Sequence, residues 1–169
     1  MKKILISPSI YIDKYNQLYT KLDLNWFKYA EKLNFNLYQI PYKKNLNFIK
    51  KENFHGIIFS GGNDLYKLGK KRENLLRDKF EKKILILANK LKIPALFVCR
   101  GMQLISHIEK IKLVKVKNHI KKKQLIFVKS KGNISVNSFH NYAIFSVPKK
   151  YNILANHKDG SIEMMENLK

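Results

Sequence analysis

The chain has 169 residues, 45% of them hydrophobic, with 7 Gly, 4 Pro and a single cysteine, Cys99. These numbers suit one compact domain over residues 1–169 whose core needs no disulfide, and they exclude a disulfide-stapled scaffold. The apolar stretch Ile4-Leu5-Ile6 is too short for a signal-peptide core and no other run could span a bilayer, so a reducing cytoplasm and no membrane partner are expected. A formal net charge of +22 attracts phosphate backbones. Yet of the 34 basic residues only Arg72, Arg77 and Arg100 are arginine, the side chain that phosphate clamps favour, and the lysines are scattered in short pairs. A solvated lysine surface that steers anions, with no nucleic-acid partner, is the expectation.

Residues 4–6 predict a first strand. Asp23 can cap a helix in which Trp26, Ala30 and Leu33 recur at helical spacing. Residues 36–40 read as a second strand stopped by Pro41, and residues 46–51 as a short helix. Gly56-Ile57-Ile58-Phe59 is a wholly apolar strand, the kind buried on both faces of a parallel sheet. Leu76, Phe80, Ile84, Leu87 and Leu91 then form one stripe along the clearest helix, with Arg77, Asp78 and Glu81 on its opposite face. Residues 96–98 predict a strand and residues 102–109 a helix. From about residue 112 strands take over, at 112–116, 124–128, 134–137, 152–156 and 161–165, the last two joined by the turn Lys158-Asp159-Gly160. The alternation predicts an α/β fold with a doubly wound, mostly parallel sheet and an antiparallel β portion appended late.

Three segments carry chemistry. Pro94-Ala95-Leu96-Phe97-Val98-Cys99-Arg100-Gly101-Met102-Gln103 has the layout of a nucleophile elbow, in which a strand, a tight turn and a helix lift one side chain to the sheet edge. The helix N-terminus there favours a thiolate, the form of cysteine that attacks carbonyls. Ser60-Gly61-Gly62 follows a buried strand, and its two glycines let backbone N–H groups turn into a pocket as an oxyanion hole requires. Val136-Asn137-Ser138-Phe139-His140-Asn141 gathers donors and an imidazole at a strand end, an arrangement shared by ligand pockets and plain turns. His55, His107, His119 and His157 show no metal-ligand spacing, so neither a metal nor a cofactor is expected.

Taken in order, residues 56–64, Arg77-Asp78 with Glu81, residues 94–103, residues 136–140 and Asp159-Gly160-Ser161-Ile162-Glu163 resemble the class I glutamine amidotransferases. The likeness is greatest to their free-standing γ-glutamyl hydrolase branch, which includes hydrolases of γ-glutamyl-γ-aminobutyrate and of γ-glutamyl-CDP-amidate. The resemblance implies a flavodoxin-like fold and hydrolysis of a γ-glutamyl amide bond, with a small-molecule γ-glutamyl substrate. It implies Cys99 as the nucleophile that forms a γ-glutamyl thioester, and Gly62 and the Arg100 amide as the oxyanion hole. Gly61, Gln103, Asn137, Ser138 and His140 would bind substrate, and Arg77 and Glu81 would support the pocket. A synthase partner receiving ammonia stays open. Two departures from the family pattern stand out: Phe97 replaces a glycine two residues before the nucleophile, and the His-Pro-Glu stretch that supplies the base is missing. The expectation is a C-terminally incomplete member lacking one final strand and helix; the alternative is an inactive domain that binds a γ-glutamyl ligand or a partner.

Overall fold

The computed structural model describes residues 1–168, apart from the side chains of residues 121 and 122. The chain divides into two compact units, Met1–Met102 and Gln103–Lys169.

The first unit contains β1 (Lys2–Ser7), β2 (Ser9–Ile12), β3 (Leu18–Lys21), α1 (Asn25–Lys32), β4 (Phe35–Gln39), α2 (Phe48–Lys51), β5 (Gly56–Phe59), α3 (Tyr66–Gly69), α4 (Arg72–Lys90) and β6 (Ala95–Phe97); α5 (Arg100–Ile108) begins at its end. Four strands form a parallel sheet in the order β4-β1-β5-β6. The chain thus winds outward from β1 in one direction and from β5 in the other, which makes the carboxyl ends of β1 and β5 the switch point where open α/β sheets hold ligands. Leu5 and Ile6 pair with Ile57 and Ile58, and these four side chains with Phe59 are buried. A strand covered on both faces must be apolar at every position, and β5 is.

Local reading and structure differ at three places in this unit. The β2–β3 hairpin has no alternating apolar pattern: β3 is exposed throughout and only Ile10 of β2 is buried. Polar contacts hold it instead, with Asp13 accepting the amides of Tyr15 and Gln17 at 2.9 and 2.8 Å. Asp23 accepts the Asn25 N–H at 2.9 Å, but Leu24 occupies the capping position, and Leu33 points outward at 52% exposure. Most consequential, the polar side of α4 faces inward: Arg77, Asp78 and Glu81 are buried along with Phe80 and Ile84.

The second unit is β-rich after α5: β7 (Val114–Lys115), β8 (Ile120–Val128), β9 (Gly132–Phe139), β10 (Tyr142–Ala143), β11 (Tyr151–His157) and β12 (Ile162–Asn167). An antiparallel sheet runs β12-β11-β8-β9, and β10 pairs with β7. Ile126, Val128 and Ala155 form its core, with Ile134 and Val136 packed against them. The strand expected over 112–116 shortens to Val114–Lys115, whereas the others are longer than expected. Gly160, at φ +86°, makes the turn between β11 and β12. No helix among the described residues is long and apolar enough to cross a membrane.

Candidate active site

Cys99 lies between β6 and α5 with φ +52°, a left-handed conformation that costs a non-glycine residue about 1–2 kcal/mol, and it is exposed. The surrounding backbone fixes that turn. The Val98 N–H donates to the Phe59 carbonyl at 2.9 Å, and the Gly101 N–H to the Val98 carbonyl at 2.9 Å. A Cβ at Gly101 would stand 2.3 Å from the Phe59 oxygen, so only glycine lets α5 start this close to β5. Phe97, which replaces the expected glycine, lies flat against Phe59 with ring centroids 4.8 Å apart and planes 5° from parallel. The turn thus accommodates a bulky side chain by stacking it on the neighbouring strand.

The glycine turn sits against the thiol: a Cβ at Gly61 would be 3.5 Å from Cys99 Cβ and 3.9 Å from Sγ. Gly62 has φ +87°. Arg77 holds the carbonyl side of this turn, donating from Nη1 to the Gly61 carbonyl at 2.9 Å and from Nη2 to the Ser60 carbonyl at 2.8 Å. The described peptides are trans, so a carbonyl anchored on Arg77 directs the N–H of the same peptide the opposite way. The Gly61 and Gly62 amides therefore point away from the guanidinium. Asn63 ties the turn to the hairpin, accepting the Ile10 N–H at 3.0 Å and donating to the Ile10 carbonyl at 2.8 Å.

Beneath the turn is a buried charge network. Arg77 Nε donates to Glu81 Oε1 at 2.9 Å, and the Ser7 hydroxyl donates to the same oxygen at 2.6 Å. The Arg100 guanidinium pairs with Glu81 and Asp78, and the other Asp78 oxygen accepts the Tyr66 N–H at 3.0 Å. Burial pulls the Arg77 pKa down and nearby Arg100 adds to this, while Glu81 and Asp78 oppose it. Ions withdrawn from water persist only when paired and hydrogen-bonded, and each of these is paired, with Arg100 Nε alone among their guanidinium nitrogens left without a partner. Arg100 thus has two parts: its amide is at the start of α5, and its side chain anchors the elbow to α4. The sequence signal for that anchor was present in the inward spacing of Arg77, Asp78 and Glu81, but it looked like an outer polar face.

The remaining expected positions lie in the second unit. Gln103 donates to the Tyr142 carbonyl at 3.3 Å. Asn137 is exposed and Ser138 buried, on opposite faces of β9, and the Ser138 hydroxyl donates to the His119 carbonyl at 2.7 Å. His140 follows β9 and belongs to a group that spacing did not reveal. His119 Nδ1 is 3.4 Å from His140 Nε2, and His119 Nε2 is 2.8 Å from Asp159 Oδ2. His140 Nε2 is 3.6 Å from Glu163 Oε2, whose other oxygen accepts the Ser161 hydroxyl at 2.9 Å. His157 Nδ1 approaches Asp159 Oδ1 at 2.9 Å, off the line a hydrogen bond takes. Burial alone would raise the Asp159 and Glu163 carboxyls. Hydrogen bonds from Ser161 and His119 to Asp159, and from Ser161 to Glu163, together with the neighbouring imidazoles of His157 and His140, outweigh it and hold both below their ordinary range. The sequence offered no spacing because these groups come from the start of β8, the end of β9, the β11–β12 turn and β12.

The family model for class-I glutamine amidotransferases matches residues 12–169. A γ-glutamyl-CDP-amidate hydrolase of Campylobacter jejuni subsp. jejuni serotype O:2 is 33% identical over 157 residues, covering 92% of this chain and 78% of that protein. Among solved structures, a GMP synthase-like protein of Thermoplasma acidophilum superimposes with a TM-score of 0.72 at 18% identity, over 99% of this chain and 78% of its own. A glutamine amidotransferase of Thermotoga maritima does so with a TM-score of 0.70 at 14% identity, over 98% and 71%. These two share the fold, a parallel α/β sheet with an antiparallel sheet. By the family match and the identity to the hydrolase together, the chain belongs to the class I glutamine amidotransferase family.

Proposed function

We propose that the protein hydrolyses a γ-glutamyl amide bond through a thioester on Cys99 and releases glutamate. The observation that carries this reading is the exposed, left-handed Cys99 set against Gly61 at the carboxyl edge of the parallel sheet. Cys99 Sγ attacks the γ-carbonyl carbon, forming an S–C bond and placing a negative charge on oxygen. The Gly62 and Arg100 amides receive that charge, as an oxyanion hole does. The C–N bond then breaks, the amine leaves with a proton, and a γ-glutamyl thioester remains. Water adds to the thioester carbon, the S–C bond breaks, and Cys99 recovers its proton. Arg77 and Glu81 act as positioning residues that hold the glycine turn.

The identity to a γ-glutamyl-CDP-amidate hydrolase supports a nucleotide-linked γ-glutamyl amide as the substrate, a small molecule. A net charge of +22 favours the approach of so anionic a compound. The test is glutamate release from γ-glutamyl-CDP-amidate and from glutamine, with Cys99→Ala as control. Release above the Cys99→Ala background supports the hydrolase. Ligand binding without release, and without any covalent γ-glutamyl adduct, replaces it with a binding domain.

A further inference from the structure

We infer that His119, His140 and Glu163 form a binding site for a divalent transition-metal ion, with zinc the best fit. The inference rests on where hydrogens must lie. His119 Nε2 faces the Asp159 carboxylate at 2.8 Å, and His140 Nδ1 faces the Tyr142 carbonyl at 3.2 Å. Both partners only accept, so each of these nitrogens carries its ring's hydrogen. The other nitrogens, His119 Nδ1 and His140 Nε2, then present lone pairs to each other across 3.4 Å. Glu163 adds negative charge there, 3.6 Å from His140 Nε2 and 3.9 Å from His119 Nδ1. Three electron-pair donors converging in this way require a cation among them.

The spacing suits a metal. Zinc bonds of about 2.0–2.2 Å in tetrahedral geometry place ligand atoms about 3.3–3.6 Å apart. One ligand atom from each of the three residues falls within 4.8 Å of the others, so closure asks only for small side-chain shifts. The far side of every donor is braced: Asp159 on His119, the Tyr142 carbonyl on His140, and the Ser161 hydroxyl on Glu163. Carboxylate and carbonyl braces of this kind orient ligating imidazoles and raise their basicity. His119 is buried, but the side chains of His140 and Glu163 keep 16% and 15% exposure, which leaves the site open to solvent on one side. Two imidazoles and one carboxylate match the donor preference of zinc better than that of magnesium or calcium.

The test titrates zinc, and cobalt(II) as its coloured substitute, into the metal-stripped 169-residue chain carrying Cys99→Ala, which removes the thiol as a competing ligand. One equivalent should bind, with the visible cobalt absorption of a four-coordinate site and a zinc-dependent rise in melting temperature. Glu163→Gln keeps the side chain's shape, and His140→Ala alters a partly exposed position; each should weaken binding by more than about 100-fold while circular dichroism shows the fold retained. Asp159→Asn should weaken it by about 10–100-fold with the stoichiometry unchanged. Absence of saturable binding, or an affinity that Glu163→Gln and His140→Ala leave unchanged, overturns the site; a shared proton between the rings would then be the cation.

Discussion

The Arg77 guanidinium donates to the Gly61 carbonyl at 2.9 Å, and through that bond a buried charge sets the direction of the backbone beside Cys99. Arg77→Met removes the donor and leaves Glu81 with Arg100 and Ser7 as its remaining partners. Removing one member of a buried ion pair costs about 3–5 kcal/mol, and the low end is expected here because Arg100 stays. Denaturant unfolding measures the loss. Arg77→Lys keeps the charge but cannot reach both carbonyls as the planar fork does, so thiol labelling at Cys99 should slow even where stability recovers.

Cys99 holds a backbone conformation that glycine adopts without penalty. Cys99→Gly should therefore be more stable than Cys99→Ala by about 1 kcal/mol, since both lose the thiol and only alanine keeps the left-handed strain. Equal unfolding midpoints for the two variants would show that the elbow is not strained.

Gly101→Ala drives a Cβ to 2.3 Å from the Phe59 carbonyl oxygen, backbone that cannot swing aside as a flexible side chain can. A loss of about 2–3 kcal/mol in chemical unfolding is expected, together with slower labelling of Cys99. Gly132→Ala is the contrast: a Cβ there meets nothing within 4 Å, and φ +72° alone should cost about 1 kcal/mol.

Tyr42 donates its hydroxyl hydrogen to the Leu76 carbonyl and packs against Phe80 with ring centroids 4.0 Å apart. Tyr42 keeps 40% exposure, but desolvation where it packs on α4 raises its pKa above the ordinary 10.0; the negative charges of Glu81 and Asp78 add to the shift and the positive charges of Arg77 and Arg100 oppose it. A phenol that ionises later in the folded state gives stability that is full below about pH 10 and declines as pH rises beyond it. Tyr42→Phe should flatten this decline in urea unfolding between pH 9 and about 11; an unchanged slope would assign the alkaline loss to other groups.

The parts of the fold that were legible in the sequence are those where burial is local and one-sided in meaning. Gly56-Ile57-Ile58-Phe59 had to be a covered strand, and the Leu76 to Leu91 stripe had to be a helix. The hairpin of β2 and β3 was not legible, because Asp13, Ser9 and Asn63 hold it through polar contacts in place of an apolar face. Cys99 and the two glycines were readable because an elbow needs particular residue types in immediate succession. The roles of Asp78 and the Arg100 side chain were not, since a polar helix face looks the same whether it meets water or a buried partner. His119, His140 and Glu163 were hidden for a related reason: 21 and 23 residues separate them in turn, and antiparallel strands bring them together.

Covalent labelling of Cys99 by a glutamine-like diazo-ketone at neutral pH, read by mass spectrometry of the intact chain and of its peptides, tests the nucleophile assignment most directly. One adduct is expected, on Cys99, formed faster than on a small-molecule thiol, slowed by a competing γ-glutamyl amide and abolished by Cys99→Ala. Labelling no faster than the small thiol, or an adduct that survives Cys99→Ala, would contradict it.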